Sequence, residues 1–207
     1  MAATLAWRPC ARRRKIVHVA TRTRPDRLHF TGNDEADRLL VDEPLALLIG
    51  FALDQQVPLQ RAFSAPLELK RRVGSLDPRR IAGLPPDDLR EAFTRKPALH
   101  RFPGAMADRV QSLAETVVED YAGDAAQLWE GAGTAEELER RIRALPGFGD
   151  MKVKAFGAVL AKRFGVEAAQ PLAPNHPTLG DVDSPEALEA YQEKKRAYKA
   201  KMRAAKS

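Results

Sequence analysis

An all-α fold is what this 207-residue sequence predicts, and three observations carry the prediction. Apolar residues recur at three- and four-residue steps through most of the chain, which is the spacing of a helix face. Alternation of apolar and polar residues, the mark of a half-buried strand, is almost absent. The breaks between periodic segments hold proline, asparagine and aspartate. These residues start helices because they either lack an N–H that the first turn cannot use or accept one that it leaves free.

Taken in order, the first segment with a helical pattern opens at Asn33 or Asp34 and runs to Leu40. Asp42, Glu43 and Pro44 open the next, over 44–55. There Leu45, Leu48, Ile49, Ala52 and Leu53 predict one buried face, and Gln55 and Gln56 close the helix. Beyond Pro58 the pattern predicts helices over 59–73, 86–94, 103–121, 124–129, 134–145 and 150–164. Phe51, Phe63, Phe93, Phe102, Trp129, Phe156 and Phe164 read as packing between these helices. Residues 1–28 form a basic arm without a sustained apolar period, expected to be disordered. Residues 29–166 form the helical domain, 167–185 a loop, and 186–207 a basic, solvated amphipathic helix.

Composition bounds the chemistry. A 44% hydrophobic content is enough for a real core, and the single cysteine, Cys10, excludes an internal disulfide and any cysteine-built iron–sulfur cluster or zinc site. His100 and His176 lack ligand-like spacing and read as surface or loop residues, so neither a metal nor another cofactor is expected. No apolar run approaches the roughly 20 residues of a spanning helix. The stretch 16–20 is too short and too interrupted for a secretory signal, so a soluble, cytoplasmic protein is expected. The net charge of +6 suggests nucleic acid, but it sits at the ends: residues 1–28 carry +7, residues 186–207 carry +4, and the body between them −5. A broad positive field is therefore excluded, and any grip on DNA must come from local devices.

The sharpest such device is Leu145-Pro146-Gly147-Phe148-Gly149, between the charged amphipathic segment 134–144 and the apolar-periodic segment 151–164. Two helices meet there at a glycine hairpin. Gly147 and Gly149 can adopt positive φ, and without side chains they leave the first N–H groups of the second helix open to an anion, for which a nucleic-acid phosphate is the natural candidate. Lys152 and Lys154 stand close enough to that helix N-terminus to assist. A bare helical corner that binds nothing is the alternative reading of so short a motif.

The run Leu47-Leu48-Ile49-Gly50-Phe51-Ala52-Leu53-Asp54-Gln55-Gln56-Val57, then Pro103-Gly104 to Leu113-Ala114, then Glu136 to Gly149, resembles the helix-hairpin-helix base-excision glycosylases, the HhH-GPD superfamily, over roughly residues 29–166. The specific match is paired glutamines after an apolar helix and, about ninety residues on, a Leu-Pro-Gly-x-Gly hairpin before another helix. The chain looks most like a small bacterial branch without the iron–sulfur cluster. The resemblance implies two helical lobes around a cleft, a hairpin that grips the phosphate backbone of double-stranded DNA through Gly147, Phe148, Gly149, Lys152 and Lys154, and a damaged base turned out of the duplex. Gln55 and Gln56 would be the wedge that fills the gap, long, uncharged and able to pair with the orphaned base. A cap of the preceding helix is their other reading.

The family's catalytic aspartate has no counterpart at its expected place, near Ala169 to Leu172; the candidates in its stead are Asp181 and Asp183, brought to the site by a rearranged loop, with Glu167 as a weaker substitute. Their other reading is as turn and capping residues before the helix at Pro185. The lysine of lyase-type members is Met151 here, and the glutamate of the adenine-removing branch is Phe51, so neither activity is expected. The resemblance thus implies a monomeric, monofunctional DNA glycosylase on nucleoid DNA. A module that senses damaged DNA without cutting, and a helical scaffold with no nucleic-acid role, stand as alternatives.

Overall fold

In the computed structural model, which describes residues 24–204, ten α-helices follow one another among the described residues. They are α1 (Asp34–Asp42), α2 (Pro44–Leu53), α3 (Leu59–Val73), α4 (Pro78–Ala82), α5 (Pro86–Thr94), α6 (Pro103–Tyr121), α7 (Gln127–Glu130), α8 (Ala135–Ala144), α9 (Asp150–Lys162) and α10 (Pro185–Ala204). The fold is all-helical, as the periodicity predicts.

Helix α2 is the axis. The sequence predicts one buried face, but every residue from Leu45 to Leu53 is buried, because no charged or polar side chain interrupts the helix and neighbours cover it on all sides. Helices α1, α3 and α6 pack on it. Gly50 permits the close approach of α3: a Cβ there would stand 2.5 Å from the Phe63 ring. Phe63 meets Phe30 and Phe51 edge-on, both at 5.1 Å between centroids; Phe51 meets Phe156 at 5.0 Å, and Phe156 meets Trp129 at 5.8 Å and Phe148 at 6.2 Å. These offset and edge contacts are the arrangements that aromatic quadrupoles favour. The chain of rings runs from the N-terminal segment through α3, α2 and α9 to the hairpin.

Several elements depart from the expectations. Helix α4 was not predicted, since five residues carry no period; it forms because the Asp77 carboxylate accepts from the Arg79 and Arg80 N–H groups at 2.9 and 3.1 Å. Leu28 and Phe30 are fully buried, so the packed body begins inside the expected basic arm. Buried Asp37 ties that segment down by accepting from the N–H groups of Phe30 and Thr31, both at 3.0 Å. The expected loop 167–185 holds two 3-10 turns, Glu167–Leu172 and Leu179–Asp181, packed along α9. The arm over residues 1–23 lies outside the described residues.

Candidate nucleic-acid interface

Helix α8 is amphipathic, with Leu138 and Ile142 buried, and its start is fixed by the Thr134 hydroxyl accepting from Glu137 N–H at 3.2 Å. The chain then reverses. Phe148 N–H donates to the Leu145 carbonyl at 3.1 Å, and Gly147 takes φ +80, in the left-handed region that favours glycine. Gly149 departs from expectation: its φ is −90, which any residue can adopt, and what it contributes is space, since a Cβ there would meet nothing within 4 Å. It caps α9 without a side-chain hydrogen bond, while Lys152 and Val153 N–H return to its carbonyl at 2.9 and 3.0 Å. The N–H groups that open a helix have no intrahelical partner and carry its positive end.

The hairpin does not stand alone. The Arg109 side chain of α6 lies across Gly147, where a Cβ would come 2.7 Å from its Cδ and 2.8 Å from its Nε. Among the described residues Arg109 has no carboxylate partner. An acid also occupies this helix start: Asp150 pairs with Arg143, which in turn holds Glu139 at 2.6 Å, and the Arg143 guanidinium keeps the Asp150 carboxyl below the ordinary carboxylate range.

Two predicted hairpin contacts need correction. Phe148 is only 4% exposed and closes the aromatic chain of the core, so its ring is not available to DNA and only its backbone lies in the turn. Lys152 turns inward. Its ammonium donates to the Ala52 carbonyl at 2.9 Å, at the C-terminal end of α2, and lies 5.6 Å from the Phe148 ring. Burial, with Arg109 nearby, brings its pKa from 10.5 down to about 8. Lys154 is exposed, as expected.

Lys152 thus joins the hairpin helix to the turn after α2, where the glutamines are. The two differ. Gln55 is half-buried, its amide nitrogen 3.0 Å from Met106 Sδ on α6. Gln56 is exposed and takes φ +57, a conformation that costs a non-glycine residue about 1 kcal/mol or more. His100, expected at the surface or in a loop, lies in the loop before α6 but is only 1% exposed, and it bridges this turn to the start of α6. Its Nε2 lies 3.0 Å from the Gln55 carbonyl, and its Nδ1 accepts from Phe102 N–H at 3.0 Å. Phe102, expected in the core, is 44% exposed, with the Arg101 guanidinium carbon 5.3 Å from its ring.

The candidate carboxylates fall elsewhere. Asp181 is engaged at both oxygens: Lys162 Nζ lies 2.8 Å from each, and the Thr178 N–H and hydroxyl donate to one of them at 2.7 and 3.0 Å. These donors hold its carboxyl below the ordinary range although burial opposes them. It also sits beside the C-terminal end of α9, roughly 18 Å along that helix from the hairpin at 1.5 Å per residue. Asp183 is exposed, and Ser184, whose hydroxyl accepts from Ala187 N–H at 3.1 Å, provides the cap of α10 in its place. Asp54 ends α2 immediately before the glutamines, close enough for its charge to act on Lys152 and on Tyr191 of α10.

The sequence reading gave Arg109 and Asp54 no role and gave His100 and Phe102 other ones, because none lies at a spacing that marks it. Their relation appears only when α6 is laid against the end of α2.

An all-helical chain that sets a glycine hairpin, an arginine without a carboxylate partner among the described residues and a glutamine turn side by side is built as a helix-hairpin-helix protein. The family model described as HhH-GPD superfamily base excision DNA repair protein matches residues 49–206, most of the chain and including α10. The chain belongs to this superfamily, so its process is base-excision DNA repair and its substrate is DNA. No curated protein and no solved structure gives a significant match. No helix among the described residues is long and apolar enough to cross a membrane.

Proposed function

We propose that the protein is a monofunctional DNA glycosylase that works as a monomer on nucleoid DNA, turns a damaged base out of the duplex and hydrolyses its N-glycosidic bond without a metal or cluster. One observation carries this reading. Met106 and Arg109, one turn apart on α6, touch Gln55 and Gly147, so wedge and phosphate grip are mounted on a single rigid helix. A base inside the stack cannot be attacked at its glycosidic carbon, and extruding it costs a few kcal/mol. Fixed spacing between grip and wedge is what turns backbone binding into that work.

In this arrangement a phosphate sits against the Gly149 and Asp150 N–H groups with Arg109 beside it and Lys154 adding charge. Gln56 fills the vacated position, and exposed Phe102 stacks on a neighbouring base. Asp54 is the first candidate for the carboxylate that activates water, because it shares the end of α2 with the wedge. Asp183, exposed and without an ion-pair partner among the described residues, comes next. Asp181 could serve only after leaving Lys162.

Duplexes carrying alkylated, deaminated or oxidised bases test the reading. Base release by the wild type, lost in Asp54→Asn, supports it. Salt-sensitive binding without release means a damage sensor, and no binding means a scaffold.

A further inference from the structure

The His100 ring is held between two backbone groups of different kind. A peptide N–H can only donate, so the Phe102 N–H makes Nδ1 an acceptor, and the remaining proton of the neutral ring must sit on Nε2, where it donates to the Gln55 carbonyl. Both ring nitrogens are thereby used, across 45 residues of sequence on one side and two on the other. The two segments so joined carry the exposed side chains of Gln56 and Phe102.

We propose that His100 is a positioning residue whose neutral imidazole locks the Gln56 turn and the Phe102 corner into one rigid two-pronged wedge, and that protonation of the ring unlocks it. The proposal rests on the reading of these side chains as the DNA wedge. Its physical basis is the geometry of the bridge: a second proton has only Nδ1 to occupy, where it would face the Phe102 N–H. One hydrogen bond would be lost and two donors brought nose to nose inside a closed site. A prong pushed into a base stack must also resist being pushed back, and a turn held at unfavourable φ needs an external brace to stay in that shape.

The charges around the ring act in the same direction. Arg61 from α3 and Arg109 from α6 both disfavour an imidazolium, the Gln55 and Leu53 carbonyls at the end of α2 oppose them, Lys152 of α9 lies at the neighbouring Ala52 carbonyl, and Asp54 is the residue before the bonded Gln55. Burial is the larger influence, and it moves the ring's pKa below the ordinary histidine value. For stability the sign follows directly. The unfolded chain binds the proton more readily, so the stability gained from the bridge is complete above the ordinary histidine value and is lost as pH falls through the lowered one.

The test starts on the free full-length protein, where DNA recognition plays no part. Nitrogen-15 spectra should give the Nε2–H tautomer of His100 at about pH 7.5. On acidification the amide signals of Gln56 and Phe102 should move together, with the midpoint of the ring. An Nδ1–H tautomer, or separate midpoints, overturns the proposal. Two variants divide the bridge. His100→Asn keeps an acceptor for Phe102 N–H but falls short of Gln55, whereas His100→Gln reaches Gln55 and leaves Phe102 N–H unmet. With 2-aminopurine in a duplex as reporter, each should weaken insertion about tenfold and remove its acid dependence, while anisotropy-measured DNA affinity changes less than about threefold. Wild-type insertion with an unchanged pH profile in both variants overturns the proposal. If the wild type binds no DNA at any pH, the proposed function fails, and the tautomer and shared midpoint still decide whether His100 couples the two segments.

Discussion

Gln56 combines an exposed side chain with a left-handed backbone, and substitution separates the two. Gln56→Gly relieves the strain and Gln56→Ala keeps it, yet both remove the amide. Urea unfolding should find the glycine variant as stable as the wild type or up to about 1 kcal/mol more so. The alanine variant should stay within about 0.5 kcal/mol. Both should lose base extrusion in a 2-aminopurine assay; extrusion retained in both would remove Gln56 from the wedge. Lys152 offers a second measurement at this scale. Its folded pKa of about 8 lies below the unfolded value of 10.5, so between these limits the unfolded chain holds more protons and stability rises with pH. The Lys152 contribution is complete above 10.5 and lost as pH falls through about 8. Lys152→Met should flatten that rise in the difference between the two stability profiles, and an identical slope would mean that the ammonium is solvated.

Among the elements, the hairpin glycines have different work. At Gly147 a side chain must adopt φ +80 and displace Arg109, so Gly147→Ala should cost about 1–2 kcal/mol of stability. Gly149→Ala should cost little stability but put a methyl group where a phosphate would approach, and weaken DNA binding. Thermal unfolding and anisotropy separate the two effects; equal affinity in wild type and Gly149→Ala would place the phosphate elsewhere. Much at this scale was legible in the sequence. The ends of α3, α5 and α6 fall where prediction put them because Pro58, Pro86 and Pro103 mark their starts and Gly74 follows α3 in left-handed conformation. The hairpin and the glutamine turn were legible for the same reason, being punctuation between periodic runs. What could not be read was anything made by bringing distant elements together. The Phe148 ring lies in the core because Phe156 waits for it, Lys152 points inward because α2 ends beneath it, and Asp181 is engaged because Lys162 lies one packed segment away. No periodicity records such meetings.

For the molecule as a whole, charge distribution sets how DNA can be held. The body over residues 29–185 carries −5, against +7 in residues 1–28 and +4 in residues 186–207. A grip made mainly by Arg109, Lys154 and helix N–H groups releases few counterions, so log affinity against log salt should have a slope of about −2 to −3. Removing residues 1–23 tests whether the basic arm adds to this. An unchanged slope confines binding to the hairpin face, and a clearly shallower one assigns the arm phosphate contacts of its own. The aromatic chain ties this face to the interior. Because the ring that follows Gly147 is the last link of a series reaching back to Phe30, the turn has no independent way to fray. The hydrogen-bonded Phe148 amide should trade hydrogen for deuterium only as fast as the entire domain opens, whereas the exposed Gly149 and Asp150 amides exchange freely, so the frame of the clamp is as durable as the protein itself.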